Sequence, residues 1–95
     1  MFTQQAPRMF NLLNIQAIDD QHTGVYGLFR EGIWIYVGKG NIRQRLLAHL
    51  RGDNPEILYQ MPTHYVDEIW QDPYMSNREK ELTLSLKPLC NKKFG

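Results

Sequence analysis

The sequence has 95 residues, which is enough for one compact domain and too few for two. Its hydrophobic fraction of 42% exceeds that of disordered chains, and no apolar run approaches the roughly 20 residues of a membrane-spanning helix. The formal net charge of +1 gives little overall attraction to nucleic acid, and the single cysteine excludes an internal disulfide, which favours a reducing, cytoplasmic compartment.

Residues 1–23 are predicted to be an N-terminal extension, and residues 24–95 the domain itself. Within residues 8–18, Phe10, Leu13 and Ala17 recur at the spacing of a short amphipathic helix. The sequence DDQHTG at 19–24 predicts a turn between this helix and the domain.

The sequences VYGLF and IWIYV on either side of REG predict a β-hairpin. With a two-residue turn at Glu31 and Gly32, the side chains of Tyr26 and Tyr36 would lie on opposite faces. With a three-residue loop that includes Arg30, Tyr26 lies opposite Tyr36 on the same face. Because three-residue loops favour glycine in the left-handed position that Gly32 can supply, we expect the three-residue loop and both phenols on one face.

The sequence IRQRLLAHL predicts a helix that begins after Asn41, a good N-cap, and ends near Gly52. Its buried stripe is predicted to be three apolar residues spaced four apart: Ile42, Leu46 and Leu50. Arg45 and His49 are also four residues apart and form a second row beside the stripe. We therefore expect these two side chains to lean over the sheet.

Positive charge is concentrated at this helix. Residues 39–51 contain no acidic residue and four basic ones, namely Lys39, Arg43, Arg45 and Arg51. A second basic segment follows the last acidic residue and consists of Lys87, Lys92 and Lys93. A concentrated patch attracts phosphate more strongly than the same charge spread over a surface, although charge alone fits a solvated helix face equally well.

The rest of the chain predicts one more strand and one more helix. Residues 52–62 are expected to be irregular, THYVDEIW at 63–70 to be a third strand, and residues 72–86 to be a helix. Asp72 or Ser76 is the expected helix cap, and Pro88 ends the helix. The predicted fold is a small α/β sandwich with a mostly antiparallel three-stranded sheet flanked by helices.

The glutamates of the last predicted helix are not equivalent. At about 100° per residue, Glu79 shares a face with Leu82 and Leu86, whereas Glu81 points nearly the opposite way. An ionised carboxylate that faces the core is costly unless a cation or hydrogen-bond donors receive it. Glu79 is therefore a candidate functional residue, and Glu81 is not.

Two familiar kinds of site, a P-loop and a zinc site, are excluded by their sequence patterns. The sequence GKG does not fit a P-loop, because Lys39 is followed by glycine instead of serine or threonine. The three histidines and Cys90 lack the spacing of a zinc site, so Cys90 is expected to be a small buried group.

Four segments of the sequence resemble the GIY-YIG endonuclease domain in their order and spacing. They are GVY at 24–26, YVG at 36–38, NIRQRLLAH at 41–49 and EKELTLSLKPLCN at 79–91. A single tripeptide would carry little weight, whereas the four together cover nearly the whole domain. Two features depart from the family pattern: valine replaces isoleucine in both tripeptides, and the turn after YVG is one residue shorter, which bears on the reach of Lys39.

The resemblance implies a metal-dependent endonuclease that hydrolyses DNA. The catalytic positions that it implies are Tyr26, Tyr36, Arg45, His49 and Glu79. The substrate-binding positions expected from the resemblance and from the basic patch are Lys39, Arg43, Arg51 and Asn91. Asn91 has an alternative, which is to bond to nearby backbone.

Each implied role has a physical reason. Mg²⁺ or Mn²⁺ on Glu79 would polarise the phosphate, and the planar guanidinium of Arg45 would bind phosphate oxygens with two parallel hydrogen bonds. A tyrosine base requires a nearby cation to lower its pKa. Tyr26 and Tyr36 both remain candidates for that base, with a preference for Tyr26.

The alternative function is a nucleic-acid-binding module that keeps the fold without catalysis. The expected partner is DNA, and no membrane is implied. The N-terminal extension is too short to be a recognition domain. We therefore expect weak intrinsic sequence specificity, or specificity that comes from a partner protein or from a homodimer.

Overall fold

The computed structural model describes residues 1–91, so Lys92 and Lys93 of the second basic segment lie outside the described residues. One antiparallel sheet has the strand order β1-β4-β2-β3, with β1 at Arg8–Met9, β2 at Thr23–Arg30, β3 at Ile33–Asn41 and β4 at His64–Ile69. The helices are α1 at Leu12–Gln16, α2 at Ile42–Leu50, α3 at Pro55–Tyr59 and α4 at Tyr74–Leu86. The predicted α/β class and the three long strands are confirmed, and the sheet has an additional two-residue strand.

The hairpin between β2 and β3 differs from the prediction in its turn. Arg30 pairs with Ile33, so the turn consists of Glu31 and Gly32 alone, both with positive φ (49° and 77°). Two left-handed residues form the tight turn that matches the twist of paired strands. The expected three-residue loop is therefore wrong.

A β-bulge nevertheless brings the two tyrosines to one face. Phe29 pairs with Trp34, but its neighbour Leu28 pairs with Tyr36, so Ile35 is an extra residue on β3. One extra residue reverses the alternation of side chains beyond it. Tyr36 therefore lies on the face of Leu28, and Tyr26, two residues before Leu28, lies there too. The prediction that the phenols share a face is confirmed, for a different reason.

The sheet separates two hydrophobic clusters. On the face that carries the tyrosines, α1, α2 and α3 contribute to a core of Ile15, Ile18, Tyr26, Leu28, Ile35, Ile42, Leu46, Ile57, Tyr65 and Cys90. On the other face, α4 packs through Leu82 against Val25 and Val37. The short helix α1 exists as predicted but buries a different side, because Ile15 is fully buried whereas Leu13 is 78% exposed.

Helix α3 was expected to be irregular, and its own signals explain why it forms. The side chain of Asn54 accepts a hydrogen bond from the backbone of Glu56, and Pro55 occupies the first turn. Proline is favoured there because the first helical amide has no intrahelical partner.

Within residues 1–91, no helix is both long enough and apolar enough to cross a membrane.

Candidate active site

The two tyrosines meet across the hairpin next to the edge strand β3. Their ring centroids are 6.3 Å apart, with Tyr26 fully buried and Tyr36 half-buried. Tyr26 is paired with Gly38, where any Cβ would collide with the Tyr26 hydroxyl. Gly38 therefore allows the Tyr26 ring to cross the edge strand, which gives the glycine of the YVG segment a steric reason.

Helix α2 places Arg45 and His49 above these rings. Asn41 caps the helix as predicted, since its side chain accepts a hydrogen bond from the backbone N–H of Gln44. His49 is only 1% exposed, and its Nε2 lies 2.7 Å from the hydroxyl of Tyr26. The predicted lean of this row over the sheet is confirmed, and His49 is part of the core rather than at its edge.

Asp53 is a further member of the site, which the sequence motifs did not predict. One of its oxygens lies 3.0 Å from Nδ1 of His49, and the other lies 3.2 Å from Nη2 of Arg45. The residue sits just past the end of α2, where Gly52 adopts a φ of 88°. The adjacent Gly-Asp pair at a helix end is the sequence signal that could have identified it.

The hydrogen bonds fix the tautomer of His49. An ionised carboxylate only accepts hydrogen bonds, so Nδ1 of His49 carries the proton that faces Asp53. The lone pair of Nε2 then accepts the hydroxyl proton of Tyr26. Asp53, His49 and Tyr26 thus form one continuous hydrogen-bonded chain.

Burial controls the ionisation of this chain. Burial raises the pKa of Tyr26, the nearby phenol of Tyr36 adds to the increase, and the Arg45 guanidinium opposes it without reversing it. Burial also lowers the pKa of His49, which favours the neutral imidazole. The cation Arg45 does lower the pKa of Tyr26, as expected for a tyrosine base, but desolvation outweighs this charge and the net pKa is raised.

Glu79 reaches the same region from the opposite side of the sheet. It is half-buried on α4, on the side of the helix that carries the buried Leu82, as predicted. Burial raises its pKa and the positive charge of Lys39 opposes that increase. The pKa of Tyr36 is raised by burial and then by the charge of Glu79, so this carboxylate lies within electrostatic range of both residues.

Lys39 is held at the edge of the sheet by α4. Its Nζ donates to Oγ of Ser76 at 2.8 Å, and that hydroxyl donates to Oδ1 of Asp72 at 2.6 Å. Asp72 also accepts from the backbone N–H of Ser76, but the N-cap position of α4 is Pro73, so the expected cap at Asp72 or Ser76 is wrong by one residue or more. Lys39 therefore contacts α4 three residues before Glu79, and its charge acts on that carboxylate.

The residues present fit a hydrated divalent cation. Within residues 1–91, no group of three or more histidine, cysteine, aspartate or glutamate side chains could enclose a metal ion. Mg²⁺ commonly binds through one or two carboxylates and completes its coordination with water and substrate phosphate. The half-buried carboxylate of Glu79 on α4 suits that mode of binding.

Three predicted substrate-binding residues remain, namely Asn91, Arg43 and Arg51. The side-chain oxygen of Asn91 accepts from the backbone N–H of Val37 at 2.9 Å, and its amide donates to the carbonyl of the same residue at 2.8 Å. Asn91 therefore bonds to the backbone, which was the alternative to substrate binding for this residue. Arg43 is half-buried on α2, and Arg51 is exposed at its end.

Comparison with known proteins identifies the fold. No protein-family model matches the sequence, and no curated protein matches it. Two similar solved structures are point mutants of the GIY-YIG N-terminal endonuclease domain of UvrC from Thermotoga maritima, each bound to its catalytic divalent cation. Each has a TM-score of 0.74 and covers 85% of this chain and 93% of its own, at 19% and 18% sequence identity. Together with the four sequence segments, this similarity identifies the fold of the chain as that of the GIY-YIG endonuclease domain.

Proposed function

We propose that this protein is a metal-dependent endonuclease that hydrolyses phosphodiester bonds in DNA. The observation that carries the proposal is the buried 2.7 Å hydrogen bond between the hydroxyl of Tyr26 and Nε2 of His49. A phenol whose proton has a neutral imidazole to receive it is equipped for proton transfer. The fold is that of endonuclease domains whose structures contain a catalytic divalent cation, which supports the same chemistry.

In this proposal two protons move together, one from the attacking water and one from the phenol of Tyr26. Tyr26 removes a proton from the attacking water as it passes its own proton to Nε2 of His49. A free phenol with a pKa of about 10 is only about a thousandth ionised at pH 7, and burial raises the pKa of Tyr26 further. The linked transfer removes the need for a resting phenolate, because the neutral His49 is the final acceptor.

Charge on the phosphate is stabilised from two sides. Arg45 would bind two phosphate oxygens through its planar guanidinium, which a lysine cannot reproduce. A divalent cation held by Glu79 would supply electrostatic stabilisation of the phosphate and of the leaving oxygen. Lys39, Arg43 and Arg51 would bind neighbouring phosphates and so hold the DNA in register.

The test is plasmid nicking by the purified protein with Mg²⁺, with Mn²⁺ and with a chelator. We expect cleavage that requires the metal and is lost in Glu79→Gln, because the amide removes the charged ligand. Glu81→Gln is the matched control, since Glu81 lies on the solvent side of the same helix. An absence of cleavage with every divalent cation would refute the nuclease.

The second candidate is a nucleic-acid-binding module without catalysis. It is favoured by the single carboxylate at the candidate metal position within residues 1–91. It predicts DNA binding that is independent of metal and unaffected by Glu79→Gln.

Linear duplex, branched DNA and single strands, offered in parallel, would identify the preferred substrate of either function. Sharp cleavage at one sequence by the isolated monomer would contradict the proposal that specificity comes from a partner protein or a homodimer.

A further inference from the structure

After α2 the backbone reverses direction and bonds to the last turn of the helix. The backbone N–H of Gly52 donates to the carbonyl of His49 at 3.0 Å, and that of Asp53 donates to the carbonyl of Ala48 at 3.1 Å. These two bonds with a left-handed glycine between them form a Schellman motif. The motif directs the carboxylate of Asp53 back toward His49 and Arg45 instead of into solvent.

We propose that Asp53 is a positioning residue of the nuclease, which fixes the tautomer of His49 with one oxygen and the orientation of Arg45 with the other. This inference rests on the proposed function. A neutral imidazole with its proton on Nε2 could not accept the proton of Tyr26, so the reaction needs the proton to stay on Nδ1. Asp53 lies 3.0 Å from that nitrogen and supplies the acceptor.

The same carboxylate limits the movement of Arg45. The Arg45 side chain is 41% exposed and that of Asp53 is 35% exposed, so solvent screens this ion pair and it contributes little to stability. Its effect is therefore expected in the reaction rather than in folding. Nη2 of Arg45 donates to Asp53 at 3.2 Å, which limits the orientations of the planar guanidinium and leaves its other N–H donors for phosphate oxygens.

Among the described groups around His49, no second carboxylate could take the place of Asp53. Within residues 1–91, the titratable and charged groups that face the ring are Tyr26 from β2, Tyr36 from β3, Arg45 from α2 and Asp53. Asp53 is the one carboxylate among them. Burial lowers the pKa of His49 and the charge of Asp53 opposes that effect, so removal of the charge lowers this pKa further.

The test is Asp53→Asn in the full chain, with cleavage kinetics at saturating DNA and ¹⁵N NMR of the imidazole of His49. The amide keeps one acceptor oxygen and replaces the other with a donor, so it can serve His49 or Arg45 but not both. We expect kcat to fall at least about tenfold, with KM changed by less than about threefold. We also expect the ¹⁵N shifts to report a mixture of tautomers and the acid limb of the pH–rate profile to move to lower pH.

Two further variants make the result specific. Glu56→Gln removes the same charge three residues away, without a bond from its side chain to His49 or Arg45, and is expected to leave rate and tautomer unchanged. Asp53→Glu keeps both oxygens and should restore part of the lost rate. Thermal unfolding of Asp53→Asn within a few degrees of wild type would show that the fold is intact.

The outcomes separate this proposal from the proposed function. If Asp53→Asn cuts at the wild-type rate, or if His49 keeps its Nδ1 proton and the rate falls no more than in Glu56→Gln, the positioning role is wrong. If the wild-type protein does not cut DNA at all, the nuclease proposal fails. The NMR comparison then decides by itself whether Asp53 holds the tautomer of His49.

Discussion

At the scale of single residues, the basic side chains of α2 divide into two kinds. Arg45 bonds to Asp53, which also bonds to the buried His49, whereas Arg51 is exposed at the end of the helix. A contact to a distant phosphate contributes to binding in ground state and transition state alike. A contact to the reacting phosphate strengthens as charge develops, so it acts mainly on turnover.

Arg45→Ala is therefore expected to bind DNA almost normally and to cut it at least about a hundredfold more slowly. Arg43→Ala and Arg51→Ala should instead weaken binding and reduce the dependence of the logarithm of affinity on the logarithm of salt concentration by about one unit. Arg45→Lys should restore little, because it keeps the charge without the planar pair of donors. Cleavage by Arg45→Ala at near the wild-type rate under saturating DNA would make Arg45 a surface residue.

The two phenols also differ at this scale, because only Tyr26 bonds to His49. We expect Tyr26→Phe to lower kcat about a hundredfold or more, since a general base typically contributes that factor. Tyr36→Phe should have the smaller effect, and it keeps the ring packing against His49. Single-turnover cleavage by the two variants at equal folded concentration is the measurement. The opposite ranking would assign the base to Tyr36.

At the scale of elements, the turn after α2 determines where Asp53 lies. A Cβ at position 52 would require an alanine in the left-handed region, and it would lie 3.4 Å from a methyl group of Leu58. Gly52→Ala is expected to lower the free energy of unfolding by about 1–2 kcal/mol. Because it also moves Asp53, it should reduce cleavage per folded molecule.

Gly32→Ala is the matched control for that prediction. Gly32 is also left-handed, with a φ of 77°, and a Cβ there would meet no atom within 4 Å. It should cost similar stability in urea unfolding without affecting the rate of cleavage by the folded fraction. Equal losses of rate in both variants would show that stability alone explains the effect of Gly52→Ala.

At the scale of the whole molecule, one buried ion pair connects three parts of the chain. The carboxylate of Glu68 on β4 accepts from Arg78 on α4 at 2.8 and 3.0 Å and from the backbone of Thr3 at 2.7 Å. Burial alone would raise the pKa of Glu68, but these donors and Trp70 lower it to about 2. The N-terminal segment is thus attached to the domain through this carboxylate.

The pKa of Glu68 predicts a pH dependence of stability. Because the folded pKa lies below the ordinary value of 4.5, the ionised form stabilises the protein above that value. This contribution should be lost as the pH falls from about 4.5 toward 2. Glu68→Gln should lower stability by about 3–5 kcal/mol at pH 7, since it removes the buried charged partner of Arg78 and leaves only the exposed Glu81 paired with it.

Urea unfolding of wild type and Glu68→Gln across this pH range is the measurement. The difference between the two proteins should shrink as the pH falls through the window. A constant difference from pH 7 to pH 2 would show that packing, rather than ionisation, explains the loss. Glu81→Gln is a useful control, because Glu81 pairs with Arg78 at the exposed end of the same network.

Local sequence patterns predict the three long strands, α2, α4 and the order of the candidate residues along them, but not β1 or α3. Alternating β-branched and aromatic residues specify β2, β3 and β4, and apolar residues spaced four apart specify α2. The same spacing predicted that Arg45 and His49 share a row. These signals act within a few residues of the chain, so they can be read without the fold.

How these residues meet depends on contacts between elements that are far apart in the sequence. The bulge at Ile35 depends on pairing between strands, and the sequence offered no local signal for it. The contacts of Asp53 depend on how α2 lies on the sheet, and Glu79 approaches Tyr36 only because α4 packs on the opposite face next to an edge strand. Burial then raised the pKa of Tyr26, which local sequence did not predict, because desolvation depends on every element packed around the ring.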